Sequence, residues 1–397
     1  MGAHALLAPS SAKRWMTCTP SAVLESAMPE KETAYTREGT IAHAMAEGIL
    51  RALLEKDCQT FPEAGEFFGT HGTAISEFCA SCELEGLDWK EMAQTVYENY
   101  CRLVYESYLG AKLTDPSAEL LIEARLKLSE FIPGGFGSSD AVLIYGDTLE
   151  VFDLKYGKGV KVYAEENAQM MCYALGAWAG PGEFYNIENI RMTIIQPRLK
   201  HESSWELSTY DLLEWAHHEL KPAADLAYTG KGEQVPGDHC RFCKVAAQCK
   251  ALKEYATALP TDSDPTLMTL ADIAALLPRF AAVKSWMASV EDFALNKALE
   301  GENVPGFKIV EGRSLRKISN TGEAIQRMER AGIEPVNYLK PAELKTITDL
   351  EKTLTKKGFA TILGDLVIKP KGKPTLVEEA DPRPALSRAA KDFADIL

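Results

Sequence analysis

Three charged side chains in the middle of the chain have the types and the spacing that phosphodiester hydrolysis requires. Asp140 lies inside one predicted strand, and Asp153 and Lys155 lie two residues apart near the end of the next strand. Residues i and i+2 of a strand point to the same face, and the turn at Gly146-Asp147 brings the two strands together as a hairpin. We therefore expect Asp140, Asp153 and Lys155 to converge on one face of a sheet.

Two carboxylates and an ammonium on one face need a chemical reason, because buried charge is unfavourable unless it is paired or binds a metal ion. Carboxylate oxygens suit Mg²⁺ or Mn²⁺, and such an ion activates water and stabilises charge on a phosphate. A neighbouring lysine can offset the negative charge that develops during the reaction. The alternative is a solvated aspartate–lysine ion pair, which is the commoner meaning of an isolated D-x-K sequence.

Two predicted helices carry polar side chains that could complete such a site. One helix opens near Gly39-Thr40 and has His43 close to its start. A second helix carries Gln169 and Tyr173, whose i, i+4 spacing places them on one face. Each feature in isolation is also typical of ordinary helix surfaces, so its meaning depends on the surroundings.

The cysteines indicate a second site. Three of the nine form a C-x2-C-x5-C sequence: Cys240, Cys243 and Cys249. In a reducing compartment this spacing favours metal ligation over disulfides, and three thiolates leave one ligand position open in a [4Fe–4S] cluster or a structural zinc site. Cys18 is one candidate for the fourth ligand. Cys79 and Cys82, themselves a C-x2-C pair, could instead form a zinc site with two of the three, and spacing alone does not decide.

Composition limits the class of protein. The chain has 397 residues, of which 46% are hydrophobic, enough for a sizeable core in two or three domains. No apolar run is long enough to cross a membrane, and Lys13 and Arg14 follow the short N-terminal apolar patch, which is the wrong order for a secretory signal. We therefore expect a cytoplasmic protein that does not contact a membrane.

The net charge of −14 disfavours nucleic-acid binding, but the charge is unevenly distributed. From Lys308 to Lys373 there are 14 lysine and arginine residues against 8 acidic ones, a local excess of +6. A metal-dependent nuclease also needs carboxylates, whose charge the bound ions offset in part. The charge pattern therefore weakens the prediction of DNA as a partner without excluding it.

The order of elements predicts an α/β fold with a mixed central sheet flanked by helices. Helical periodicity is followed by three meandering strands, a helix, a fourth strand, another helix and the cysteine-rich loop. We predict a catalytic domain over 1–258, a helical connector over 259–300 and a small basic α+β domain of unknown role over 301–397.

Six short motifs, taken in order, resemble those of RecB-like PD-(D/E)XK nucleases. They are S-x-x-x-x-W-x-x-C-x-P ending at Pro20, G-T-x-x-H, G-x-x-D, D-x-K, Q-x-x-x-Y and C-x2-C-x5-C. Over residues 10–250 the chain resembles the iron–sulfur branch, which includes the AddB-type recombination nucleases and the CRISPR adaptation nucleases, and it is more similar still to a RecB-like family of bacteriophages and prophages. One departure is the D-L-K strand, where many relatives have D-Y-K or E-x-K.

The resemblance implies a fold, an activity and a set of site residues. The fold is a restriction-endonuclease-like core, and the activity is Mg²⁺- or Mn²⁺-dependent hydrolysis of DNA by an exonuclease in phage recombination, replication or DNA processing within a bacterial host cell. Asp140, Asp153 and His43 match metal ligands and Lys155 matches the catalytic lysine, with Glu123 as a further acidic ligand.

The same resemblance assigns the remaining motif residues and the partners. Gln169 and Tyr173 match the helix motif that positions DNA and supports the site. The four residues matching [4Fe–4S] ligands are Cys18, Cys240, Cys243 and Cys249, which disfavours Cys79 and Cys82. Such a cluster would cross-link the two ends of the catalytic domain and so constrain the unfolded chain. Besides DNA, a phage single-strand-binding or recombination protein is the expected partner.

Two other functions are compatible with the sequence. The chain could be a non-catalytic DNA-binding accessory protein of recombination with a nuclease fold, although its complete set of polar motif residues argues against this. It could also be a structural zinc protein that mediates protein interactions, which would fit the acidic charge.

Overall fold

A computed structural model of the chain describes residues 5–29, 33–71, 81–82, 85, 87–258, 270–307 and 330. The contacts divide the chain into two compact units, Met1–Val310 and Glu311–Leu397. Apart from 301–307 and Arg330, the predicted C-terminal domain lies outside the described residues, and so does the basic segment within it. Among the described residues no helix is long and apolar enough to span a membrane.

The first unit is built on a five-stranded mixed sheet whose strands follow one another in chain order. The strands are β1 (Glu119–Lys127), β2 (Phe136–Tyr145), β3 (Thr148–Leu154), β4 (Asn189–Gln196) and β5 (His201–Ser208). β3 and β4 are parallel and every other neighbouring pair is antiparallel. A parallel pair needs a crossover connection, and the helix at 168–178 provides it. The prediction of an α/β fold with a mixed sheet is therefore confirmed.

The helices of the described residues cover both faces of this sheet. In chain order they are α1 (Ala12–Thr17), α2 (Ser21–Ser26), α3 (Ala34–Glu55), α4 (Ala64–His71), α5 (Trp89–Val96), α6 (Arg102–Thr114), α7 (Ala168–Trp178), α8 (Thr209–Trp215), α9 (Lys221–Tyr228), α10 (Lys250–Thr257) and α11 (Leu270–Leu299). One hydrophobic core joins the sheet to α1, α7, α8 and α9, and a second joins it to α3, α5 and α6. Single π-helical turns at Tyr97–Cys101 and Ala216–Leu220 connect α5 to α6 and α8 to α9.

The central strand β3 is buried on both sides because the two cores meet on it. Leu149 and Val151 belong to the core with α7, whereas Phe152 and Leu154 belong to the core with α3. Such a strand reads as a nearly continuous apolar run. Glu150 and Asp153 are the exceptions within this run, and they are only 4% and 2% exposed.

Two elements differ from the sequence prediction. β5 was not predicted, because it lies at the sheet edge and its residues are half-buried or exposed, without the apolar alternation of a covered strand. α3 begins at Ala34, ahead of the predicted start at Gly39-Thr40. Thr33 caps it, accepting the backbone N–H of Thr36 at 3.2 Å. His43 consequently lies well inside the helix, where its position along the axis is fixed by the turns on both sides.

Candidate metal centre and cysteine pocket

The candidate site lies where β2 and β3 separate. Their register runs from Tyr145↔Thr148 to Ala141↔Phe152, so Asp140 and Asp153 follow the last paired residues. Asp140 occupies the opening: its Oδ2 accepts the backbone N–H of Leu154 at 2.7 Å. The carboxylate thus takes the place of a strand hydrogen bond, and its second oxygen is left to face other groups.

The side chains of His43 and Glu123 lie close to this second oxygen of Asp140. Asp140 Oδ1 lies 3.0 Å from His43 Nδ1, which comes from α3 on the neighbouring layer. Together with Glu123 of β1 they offer ligand atoms that all lie within 4.8 Å of one another. Nitrogen and carboxylate oxygen are suitable donors for a divalent cation such as Mn²⁺ or Mg²⁺.

Glu123 reaches this cluster through an unusual backbone conformation. Its φ is +51°, although it is a non-glycine residue inside a strand. Its neighbours Ile122 and Ala124 keep the register with β2, opposite Ala141 and Ser139, so the distortion is confined to one residue. Left-handed backbone at a non-glycine residue costs on the order of 1–3 kcal/mol and is concentrated at functional sites. The strain turns the Glu123 side chain towards Asp140.

A second group of side chains extends from Asp153 to α7. Lys155 Nζ lies 3.1 Å from Oδ1 and 2.8 Å from Oδ2 of Asp153, and it also donates to Gln169 Oε1 at 3.1 Å. Gln169 Nε2 lies 3.0 Å from the hydroxyl of Tyr173 and 3.4 Å from Asp153 Oδ1. The two helix residues therefore hold Lys155 beside the buried carboxylate.

Burial and mutual repulsion set the charge state of the acids. Burial, followed by the charge of Asp140, raises the pKa of Glu123 to about 7. Burial also raises the pKa of Asp153, against the opposing effect of Lys155. Burial alone would lower the pKa of His43, but the charge and hydrogen bond of Asp140 outweigh it and raise that pKa. All three shifts favour the protonated form, so these groups bind protons more strongly here than they would in water.

Two buried polar atoms at this site make no hydrogen bond within the described part of the chain. One is Asp153 Oδ2: Lys155 Nζ is close to it, but the angle is not that of a hydrogen bond. The other is the hydroxyl of Tyr100, which is fully buried in the π-helical turn after α5. Burial and then the charge of Asp140 raise the pKa of Tyr100, with smaller effects of Asp153 and Glu123. Among the described residues Asp153 Oδ2 has only the Lys155 ammonium as a partner, and a divalent cation would be a second one, so the residues fit a metal.

Sequence reasoning had not identified Tyr100 as a site residue. Its spacing with Val96 and Val104 placed it on the apolar side of a helix, and that is where it lies. Only the tertiary structure shows that its hydroxyl is surrounded by the charges of the site. π-helical turns are frequent at functional sites, but no sequence signal marks this one.

The cysteines of the second predicted site line one pocket. Its lining includes Cys18, directly after α1, together with the three cysteines of the cysteine-rich loop: Cys240, Cys243 and Cys249. Backbone N–H groups of Gly237 and Leu252 donate to the sulfurs of Cys240 and Cys249, each at 3.4 Å. Among the described residues no three of these sulfurs lie within 4.8 Å of one another.

Cys82 lies elsewhere. It is fully buried in the core formed by α3, α5 and α6, with its sulfur 3.9 Å from that of Met92. Cys79, the other half of the alternative zinc pair, lies outside the described residues. The structure thus brings Cys18, and not Cys82, to the cysteine-rich loop.

A buried glutamate joins the two chain segments that carry these cysteines. Glu25 Oε2 accepts from Arg14 Nε at 2.7 Å, and Oε1 accepts the backbone N–H of Lys244 at 2.6 Å. Lys244 directly follows Cys243, whereas Arg14 lies one turn before Cys18. Sequence reasoning missed Glu25, because the sequence of a helix does not show whether a glutamate faces solvent or joins two segments of the chain. The pocket is therefore assembled by polar contacts as well as by its sulfurs.

A family model describing "Protein of unknown function (DUF2800)" matches residues 4–384 of the chain. The chain belongs to the DUF2800 family. The match covers both the candidate metal centre and the cysteine pocket, so these residues lie within the part that defines DUF2800. A solved structure titled "Crystal structure of SSO0001" is 11% identical, with 61% of this chain and 95% of that chain covered and a TM-score of 0.22. A likeness this distant has no bearing on the fold or the function.

Proposed function

We propose that this DUF2800 chain is a metal-dependent deoxyribonuclease with a RecB-like PD-(D/E)XK core. The observation that carries the proposal is the convergence of His43, Glu123 and Asp140 beside Asp153 and Lys155 where β2 and β3 separate. A solvated ion pair would not need an Asp153 that is nearly fully buried. The resemblance of the motifs, which contain these same residues, to those nucleases agrees with this proposal.

The cation would be held by His43, Asp140 and Asp153, with Glu123 as a further ligand. When bound, Mg²⁺ or Mn²⁺ supplies Lewis-acid activation of water and of the scissile phosphate. The contribution of Asp140 to this arrangement is positional as well as ionic, since its contact with Leu154 fixes one oxygen and leaves the other for the cation.

Lys155 would act on the substrate side of the site. Its side chain is 28% exposed, whereas that of Asp153 behind it is 3% exposed, so Lys155 lies on the solvent side from which DNA would approach. There it can offset negative charge that develops on the phosphate. Gln169 accepts a hydrogen bond from Lys155 and is held in turn by Tyr173, so the two α7 residues keep the ammonium in place.

The cysteine pocket is proposed to bind a [4Fe–4S] cluster with a structural role. The resemblance of the motifs favours the cluster over zinc, and the two N–H···S contacts are compatible with thiolate ligands of either. A cluster here would link α1 to the loop that follows the catalytic core. This cross-link would explain the presence of a cluster without any redox role.

The biological setting is proposed from the resemblance alone. It is exonucleolytic processing of DNA in phage recombination or replication, together with a single-strand-binding or recombination protein.

A single assay tests the activity: purified protein is incubated with Mg²⁺, Mn²⁺ or EDTA and with linear or circular, single- or double-stranded DNA. Cleavage of linear DNA only with a divalent cation is the expected result. Binding without cleavage would instead indicate the accessory protein, and zinc with neither binding nor cleavage would indicate the interaction protein.

A further inference from the structure

The loop 157–163 leaves the candidate site directly after Tyr156, the residue that follows Lys155, and returns just before α7. Its backbone is held by Gln196, a polar residue only 2% exposed at the end of β4. The Gln196 side chain accepts the N–H of Val162 at 2.7 Å and donates to the carbonyl of Val160 at 2.9 Å. A buried amide is thus committed to fixing the shape of a surface loop.

Two residues of the edge strand β5 hold the same loop. His201 Nε2 lies 3.0 Å from the carbonyl oxygen of Val162, and Ser203 Oγ accepts the N–H of Ala164 at 3.0 Å. The loop is therefore shaped before anything binds to it, which reduces the entropy that a ligand would otherwise have to overcome.

The side chains that this loop presents to solvent are basic and aromatic. Lys158 and Lys161 are exposed, and among the residues that the structure describes neither has a carboxylate partner. Tyr163 is 54% exposed, although its ring packs edge-to-face on His201 with a centroid distance of 4.9 Å. The exposed Glu165 and Glu166 follow immediately and limit the positive surface to the loop itself.

Gly157 and Gly159 of the loop are not required by the fold of the chain. Neither has the positive φ that favours glycine, and a Cβ added at either would meet nothing within 4 Å. Glycine is otherwise used where another molecule must approach the backbone closely. Beside two unpaired lysines, the group that fits such an approach is an anion.

We propose that the loop 157–163 binds the backbone of a single DNA strand as it enters the site. Lys158 and Lys161 contact successive phosphates, a phosphate approaches the main chain at the two glycines, and Tyr163 stacks on a base. This inference rests on the proposed nuclease function and names its substrate, an unpaired DNA end. The exposed ring of Tyr163 favours a single strand over a duplex, because a base inside a duplex has no free face for stacking.

Fluorescence anisotropy of the full-length protein in EDTA tests this without cleavage. A labelled oligothymidine and a blunt duplex of equal length are titrated over a series of salt concentrations. The loop variants are the double substitution Lys158→Gln/Lys161→Gln and the pair Tyr163→Ala and Tyr163→Phe. The control is Lys253→Gln/Lys284→Gln, which changes the net charge equally at two exposed lysines of α10 and α11.

We expect loss of the two loop lysines to reduce the slope of log K against log[salt] by about 1.4, since each phosphate contact on a single strand contributes about 0.7. Tyr163→Ala should weaken oligothymidine binding about tenfold and leave duplex binding unchanged, whereas Tyr163→Phe keeps the ring and the affinity. The control lysines should leave both affinity and slope unchanged.

Two results would overturn the proposal. One is a salt slope for Lys158→Gln/Lys161→Gln equal to that of the control, and the other is equal affinity of Tyr163→Ala and Tyr163→Phe for the oligothymidine. Metal-dependent cleavage by the unsubstituted protein would still support the nuclease function in either case. If the unsubstituted protein neither binds nor cleaves DNA, both proposals are wrong.

Discussion

Asp140 accepts the backbone N–H of Leu154 at 2.7 Å, so a side chain of β2 replaces a main-chain partner of β3 at the point where the two strands separate. The same carboxylate lies 3.0 Å from His43. One residue therefore contributes both to the contact between β2 and β3 and to the candidate metal centre. The two contributions can be separated by substitution.

Asp140→Asn and Asp140→Ala both remove the charge, but only asparagine keeps an oxygen that can accept from Leu154. We expect the alanine variant to have a free energy of unfolding lower than that of the asparagine variant by about 1–3 kcal/mol, the cost of a buried N–H without a partner. Urea unfolding in EDTA, followed by circular dichroism, measures the difference. Equal stabilities would mean that the Leu154 contact contributes nothing.

Asp153→Asn and Lys155→Met should each reduce metal-dependent DNA cleavage at least about a hundredfold, because both groups act where charge develops. Asp153→Asn should change stability little, since burial disfavours the charge that it removes and Lys155 keeps its contact with Gln169. The matched control is Lys90→Met, at an exposed lysine at the start of α5. Initial rates with Mg²⁺ and Mn²⁺ provide the measurement, and near-normal cleavage by either site variant would contradict the assignment.

Tyr100→Phe removes a buried hydroxyl that has no hydrogen-bond partner, whereas Tyr105→Phe removes one that donates to the carbonyls of Leu53 and Cys58 at 3.1 and 2.9 Å. In metal-free protein we expect Tyr100→Phe to leave the free energy of unfolding unchanged or higher. Tyr105→Phe should lower it by about 1 kcal/mol. Denaturant midpoints of the two variants distinguish these outcomes. A loss at Tyr100 as large as that at Tyr105 would show that its hydroxyl has a partner.

Glu150 predicts a pH dependence of stability. Burial raises its pKa from the ordinary 4.5 to about 7, opposed by Arg191. Between these values the folded chain holds a proton that the unfolded chain has released, so stability falls as the pH rises from about 4.5 to about 7 and then levels off. Glu150→Gln lacks this dependence and should exceed the original protein in stability by about 1–3 kcal/mol above pH 7, with no advantage below pH 4.5.

The control is Glu206→Gln, which removes the exposed partner of the same arginine and leaves the buried acid in place. Free energies of unfolding at a series of pH values are the measurement. A Glu150→Gln difference that does not change with pH would rule out a raised pKa in the folded chain.

Protein purified without oxygen should be brown and contain iron and sulfide. Cys18→Ala should lose as much iron as Cys243→Ala, since both sulfurs line the same pocket. Cys82→Ala should retain its iron while losing packing against Met92, and Cys172→Ala, also fully buried, is the matched control for packing alone. Elemental analysis is the measurement. Zinc without iron would show that the cysteines bind zinc and not a cluster. Loss of iron in Cys82→Ala but not in Cys18→Ala would show that Cys82, and not Cys18, is a ligand.

Local patterns were sufficient for much of the first unit. The strand with Asp153, the hairpin before it and the helix with Gln169 and Tyr173 were all predicted, although β3 ends at Leu154 and Lys155 follows it. Side-chain alternation and helical spacing are properties of neighbouring residues, which is why these predictions succeeded. The edge strand β5 escaped, since its His201–Ser208 sequence has no covered apolar face to produce a pattern. The start of α3 was misplaced for a similar reason: glycine at 39 suggested a boundary, but the Thr33 cap decided it.

By itself the sequence determined which residues could hold a cation and which cysteines had ligand spacing, since residue type and short separations are local. Only the tertiary structure decided how they meet: that Glu123 turns to Asp140 through a left-handed backbone, that Tyr100 has a buried hydroxyl among their charges, and that Cys18 rather than Cys82 reaches the cysteine loop. These relationships depend on how helices pack against a sheet over separations of tens to hundreds of residues. No short-range pattern encodes them, because the packing minimises the free energy of the whole domain at once.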